Sequence, residues 1–207
     1  MTTPPPRAIR IAAASVLALG LGGGLMACAH DPVAKAPDVH VRNAATTQAK
    51  AAVGPLRAAE PTRLVIPSAK VDASPVLRLG VDSAQELQVP PVDEAERAGW
   101  YTGSVTPGEN GASVLVAHYD TANGPALMRN VKDMKVGDVI EVGRADGSTA
   151  VFRIRETQQV EKKDFPTHKV YGRTDRPELR LITCGGPIVD GHRSANIIFY
   201  GDLVKAE

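Results

Sequence analysis

From Thr62 onward the chain is a succession of short apolar runs cut apart by turn-forming residues, and that rhythm decides what it can fold into. Residues 63–66, 74–79, 112–118, 138–142, 149–160, 179–183 and 195–204 are rich in Val, Ile, Leu or Thr and bounded by Gly, Pro, Asp or Asn. Runs of that length and composition predict strands. Pro107-Gly-Glu-Asn-Gly111 marks a turn, and Asp146-Gly147 between two strands predicts a hairpin. Helix is confined to two short pieces, one near 92–98 and one near 126–134, where Leu127, Val131 and Met134 share a face. The expected fold class is all-β, mainly strands with two or three short helices, closed into a barrel or stacked as a sandwich.

This part of the chain, residues 62–207, is long enough to bury roughly two thirds of its unfolded surface and so folds without disulfide staples. Over the whole chain 24 basic residues face 23 acidic ones, giving a net charge of +1. The two signs are interspersed, so the basic stripe that a phosphate backbone demands is missing and nucleic acid is excluded as a partner.

The N-terminus reads differently. Arg7 and Arg10 precede a stretch from Ile11 to Ala29 without a charged residue, the pattern of an export signal that leaves its positive end inside. Two readings of residues 1–29 stay open. The run is just long enough to remain as a signal anchor, although Gly20 and Gly22 to Gly24 weaken it as a helix. Alternatively Leu25-Met26-Ala27-Cys28 is a lipobox and Cys28 becomes a lipidated N-terminus. Both place the remainder at the extracytoplasmic face of the membrane. Residues 30–61, rich in Ala, Pro, Thr, Lys and Gln without apolar periodicity, are expected to form a flexible stalk.

With Cys28 in the leader, Cys184 is the sole thiol of the folded part. A single thiol in an oxidising compartment has no disulfide partner and is either buried filler or reactive. Cys184 ends the apolar run Leu179-Arg-Leu-Ile-Thr183 and is followed by Gly185-Gly186, a backbone bare enough for a substrate chain to approach. His118 ends the run that starts at Ala112, and Arg193 opens the last one. Each stands at a strand end, where a barrel gathers side chains that are distant in sequence. His192 and His168 compete with His118 on residue type alone.

Leu-Ile-Thr-Cys184-Gly-Gly, followed nine residues on by Arg193 at the head of an apolar strand, resembles the active-site signature of sortases. The upstream segments Ala98-Gly-Trp-Tyr101, Pro107-Gly-Glu-Asn-Gly111, His118-Tyr-Asp120 and Val136-Gly-Asp-Val-Ile-Glu-Val142 are similar to the corresponding stretches, particularly those of the actinobacterial class E or F, with F the nearer. Two departures stand out: Arg180 replaces the first threonine of the family's Thr-Leu-x-Thr-Cys pattern, and Ser194-Ala-Asn196 follows Arg193 where class F has a shorter Asp-Asn.

The resemblance implies an eight-stranded β-barrel and a transpeptidase that cuts a Leu-Pro-x-Thr-Gly-like sorting signal of secreted proteins. The acyl group then passes to an amine, that of a cell-wall precursor such as lipid II or of a pilin lysine. It implies Cys184 as nucleophile, His118 as acid and base, and Arg193 as partner of the substrate carbonyl or oxyanion. Thr183, Tyr119, Phe165, Pro166, Val170 and Tyr171 are the expected substrate contacts, and no cofactor or metal is called for. With ordinary pKa values only about 1% of molecules would hold thiolate and imidazolium together at pH 7.

The rivals are weaker. Papain-like hydrolases place cysteine before histidine, L,D-transpeptidases carry a Ser-x-Gly-Cys-x-Arg core that is absent here, and no paired Cys or His spacing suits zinc. The alternative from another class is a tethered, non-catalytic barrel that binds wall or membrane components with Cys184 as filler.

Overall fold

The computed structural model describes residues 36–46 and 53–207. The strands in chain order are β1 (Ala44–Ala45), β2 (Pro61–Ile66), β3 (Val71–Ala73), β4 (Leu77–Leu79), β5 (Gly99–Tyr101), β6 (Gly111–Val116), β7 (Asp120–Thr121), β8 (Gly124–Pro125), β9 (Val139–Arg144), β10 (Thr149–Glu161), β11 (Pro177–Val189) and β12 (His192–Ala206). Among the described residues one α-helix, α1 (Thr167–Tyr171), forms, between β10 and β11. The main sheet runs β3-β2-β9-β10-β12-β11-β6-β5-β4, with β1 added to β10, while β7 and β8 pair separately. Contacts are antiparallel except β6 with β11 and β4 with β5.

The architecture is mostly β: a curled sheet with few helices. All seven expected runs form strands. The sheet has ten strands where eight were expected, because the three-residue β3, β4 and β5 and the two-residue β1 join the longer ones. The two expected helices are corrected to single 3-10 turns, Val92–Glu94 and Val131–Asp133. Pro90 and Pro91 adjoin the first, and neither segment is long enough to offset the cost of helix nucleation.

Alternation sets the layers. Along β9, Ile140 and Val142 are buried and Val139, Glu141 and Gly143 only partly so, as in a strand with one face in the core. In β11, at the middle of the sheet, residues 177–183 are buried without a break, because both faces are covered. One face of the curl meets the larger core, built around Leu115, Leu181, Ile197 and Phe199. The other carries Val114, Val116, Ile182, Ile198 and Tyr200, covered by Val170, Phe165 and Leu79. The hairpin at Asp146-Gly147 forms as expected: Gly147 takes φ +84° and Asp146 Oδ1 accepts the Ser148 amide at 3.0 Å.

The compact unit begins at Ala36, well inside the stretch expected to be a stalk. Val39 is 5% exposed and pairs with Gly186, β1 lies along β10, and the Leu56 amide donates to the Gly108 carbonyl at 2.8 Å. Signal anchor and lipidated Cys28 concern residues outside the described ones. Among the described residues no helix is long and apolar enough to cross a membrane.

Candidate active site

The neighbours of Cys184 follow from register. Cys184 on β11 is directly opposite Asn196 on β12, and Asn196 is in turn opposite Val160 on β10. On its other side β11 runs parallel to β6 with Ile182 beside Val116, and the Ala117 amide donates to the Ile182 carbonyl at 3.1 Å. His118 is two residues past Val116, as Cys184 is two past Ile182. A strand repeats its facing every second residue, so Val160, Asn196 and Cys184 form a row on the face that carries Val116, Ile182 and Ile198, and His118 follows two residues past the end of β6, the strand next to Cys184's own.

That face opens as a groove at the partly exposed Val160, Asn196 and Cys184, and further in it is closed over, with Ile198, Tyr200 and Val170 buried. α1 with the turn before it forms one wall, where the rings of Phe165 and Tyr101 each lie 6.0 Å from that of Tyr171. Pro166 precedes α1 on the same wall, while His168 sits exposed within α1. Beside the groove a cleft of about 690 Å³ is lined by Leu77, Leu79, Leu87, Val89 and Pro91.

His118 Nε2 lies 2.7 Å from the Pro90 carbonyl oxygen. A carbonyl only accepts, so Nε2 carries the proton of this bond and Nδ1 is the ring nitrogen left for proton transfer. Cys184 is partly buried, and burial pushes its thiol above the ordinary value. Among the charges that act on it Lys162 comes first and pulls it down, Asp120 pushes it up, and Arg193 pulls it down. Sequence reasoning misses Lys162, because an exposed lysine in a turn carries no local signal.

Arg193 is brought to the rim and makes four hydrogen bonds there. Its Nε and Nη2 donate to Asp120 Oδ2 at 3.1 and 2.7 Å, and its Nη1 donates to the Pro37 and Gly186 carbonyls, both at 2.9 Å. The guanidinium lies 5.0 Å from the centre of the Tyr119 ring, which packs against the larger core. Tyr119 and Thr183 are odd-numbered neighbours of the row and point away from the groove, and the Thr183 hydroxyl is buried with no partner among the described residues. His192 is exposed at the start of β12.

The two glycines after Cys184 meet the chain's own backbone. The Gly186 amide donates to the Val39 carbonyl at 2.5 Å and the Val39 amide returns a bond of 3.3 Å. Gly186 takes φ +75°, and a Cβ there would stand 2.7 Å from Ser194 Oγ. The close approach foreseen for a substrate is made here by residues 37–39. Among the described residues no group of three His, Cys, Asp or Glu side chains is placed to hold a metal ion.

A family model described as the sortase domain matches residues 64–204, more than half of the chain. The chain belongs to the sortase family. Sortases are cysteine transpeptidases, and the structure has their fold. It is similar to Streptococcus agalactiae sortase C1 in complex with MTSET, at 18% identity and a TM-score of 0.53 over 69% of this chain and 68% of that one. It is similar to the lid mutant of Corynebacterium diphtheriae sortase A, at 22% identity and a TM-score of 0.55 over 70% of each chain. Listeria monocytogenes sortase A matches at 21% identity and a TM-score of 0.52 over 72% of this chain and 90% of that one. No curated protein matches the chain.

Proposed function

We propose that this sortase works outside the cytoplasmic membrane, held there by residues 1–29, and cleaves a Leu-Pro-x-Thr-Gly-like sorting signal between Thr and Gly. Cys184 as thiolate adds to the Thr carbonyl carbon, and the π pair moves onto oxygen. As the tetrahedral intermediate collapses, the C–N bond breaks and His118 gives its proton to the departing Gly amine. A thioester on Cys184 remains. The acceptor amine adds to that thioester, loses its proton to His118, and the thiolate leaves. Arg193 acts as the rim cation that favours the thiolate. The acceptor is an amine of a cell-wall precursor, with a pilin lysine as the second choice, and the sequence motifs favour class F over class E.

The observation that supports this reading is the parallel register of β11 and β6, Ile182 beside Val116, from which Cys184 and His118 are each two residues further along. Thr183 and Tyr119, facing elsewhere, are left out of the substrate contacts; Phe165, Pro166, Val170 and Tyr171 are kept. The test uses the full chain in detergent micelles, a panel of quenched Leu-Pro-x-Thr-Gly peptides and several amines. Cleavage of at least one peptide, dependent on Cys184 and His118 and untouched by His192→Ala, is expected. Cleavage that survives Cys184→Ala rules the assignment out, and no cleavage of any peptide rules out the substrate class.

A further inference from the structure

Acyl transfer needs a donor aimed at the carbonyl oxygen as its charge develops, and most donors near Cys184 are committed. Arg193, with five N–H groups, places four hydrogen bonds on Asp120, Pro37 and Gly186. His118 Nε2 is held by Pro90, and the Thr183 hydroxyl is buried on the far face.

Asn196 is different. It is the direct cross-strand partner of Cys184, and such partners have Cβ atoms about 4.5–5.5 Å apart on one face of the sheet. Ile198 and Tyr200, two and four residues further along β12, are buried in the apolar cluster on this face with Ile182 and Val170, so Asn196, partly exposed at its edge, is on the same face as Cys184. It is partly exposed at an end of an otherwise apolar floor. Its side-chain amide makes no hydrogen bond among the described residues, and its neighbours across the two adjoining strands are Cys184 and the apolar Val160. An amide placed in an apolar groove beside a nucleophile and left without a partner is poised for a group that arrives with the substrate.

We propose that Asn196 donates its Nδ2–H to the substrate carbonyl oxygen and stabilises the oxyanion that forms when Cys184 attacks. This rests on the transpeptidase reading above. The same bond serves both half-reactions, since the tetrahedral intermediate formed by the acceptor amine places its oxygen in the same position relative to Cys184. Arg193 then has a separate role. Paired with Asp120, it fixes the Gly186 carbonyl and residues 37–39 at the rim and acts on the thiolate by charge alone.

The experiment measures kcat and KM of the full chain in micelles with the Leu-Pro-x-Thr-Gly peptide that the unmodified chain cleaves fastest. Asn196→Ala and Asn196→Leu are compared with it, the leucine matching the amide in size among Val160 and Ile198, and thermal unfolding confirms the fold. In parallel, alkylation of Cys184 by iodoacetamide is timed, a reaction that forms no oxyanion. Both variants are expected to lose about 100-fold or more in kcat, with KM changed by less than about threefold and alkylation at the unmodified rate. Retention of kcat within about threefold in the better folded variant overturns the assignment, as does a fall in alkylation that parallels the fall in kcat. Failure of the parent reading gives another signature, in which the unmodified chain cleaves no peptide or Cys184→Ala still does, and then the assignment to Asn196 falls as well.

Discussion

Arg193 and Asp120 form an ion pair of 2.7 Å in which both Nε and Nη2 of the guanidinium reach one carboxylate oxygen. The arginine side chain is 4% exposed and the carboxylate 22%. The pair has two consequences, one for stability and one for the thiol.

Asp120→Ala leaves a buried guanidinium without its counter-charge. Fully buried pairs lose about 3–5 kcal/mol when one partner is removed, so a partly exposed one loses about 2–3 kcal/mol. Urea unfolding should show that loss. Because the Asp120 charge raises the Cys184 thiol pKa, the same variant should alkylate faster at pH 8, with its thiol titration moved to lower pH.

Lys162 favours the thiolate of Cys184. Lys162→Ala therefore moves the thiol further up, and alkylation at pH 8 slows. A factor of about 2 to 5 is expected, below the tenfold of a full unit, because the lysine is exposed and salt screens it. The two rate curves should converge as pH rises above both thiol pKa values, and the difference should shrink in 1 M salt; a difference that persists at high pH contradicts a charge effect.

Glu178 holds three guanidinium groups: Arg180 at 2.6 Å, Arg176 at 2.8 Å and Arg155 at 2.9 Å. Arg180 is buried, and burial pulls its pKa down while the Glu178 charge pushes it back up. Glu178→Ala should cost about 3–5 kcal/mol by denaturant unfolding. Since Arg180 Nε donates to the Lys169 carbonyl of α1 at 3.3 Å, the groove wall loosens as well and KM for the sorting peptide should rise before kcat falls.

A chain that starts at residue 62 should be less stable than one that starts at residue 36. The shorter chain loses buried Val39, the packing of Leu56, the strand Ala44–Ala45, and the Arg57 carbonyl to which buried Arg144 donates. Burial of one Val or Leu contributes about 1.5–3 kcal/mol, so a difference of about 3–5 kcal/mol is expected in guanidinium unfolding. Equal midpoints contradict the assignment of residues 36–46 to the folded unit.

These residues show why part of the molecule is legible in its sequence and part is not. The seven apolar runs announce their strands because each must bury at least one face, whereas Cys184, read as a strand end, lies inside β11, which runs on to Val189, and His118 lies two residues past the end of β6. Residues 36–46 read as stalk because Val39, Val41 and Ala44 are too few for a periodic signal, and their burial depends on strands made more than 100 residues later, at Thr157, Gln159 and Gly186. Its place in the motif assigns Arg193 to the substrate. The bulge between Gly185 and Ile188 shifts the β11–β12 register, however, so the residue opposite Cys184 is Asn196, and only coordinates reveal such a shift. Thr183 continues the odd positions of β11, Leu179 and Leu181, which face the larger core, and Tyr119, past the end of β6, packs against that core as well.

A covalent bond underlies the proposed reaction: Cys184 carries the acyl group. The full chain in micelles is mixed with a cleavable Leu-Pro-x-Thr-Gly peptide without an added amine, quenched in acid within the first turnover, and weighed intact. The expected species is a chain heavier by the peptide fragment ending in Thr, attached at Cys184 and removed by hydroxylamine, with the Gly-led fragment free in solution. Peptide cut without any adduct at Cys184, or an adduct mapped to another residue, contradicts it.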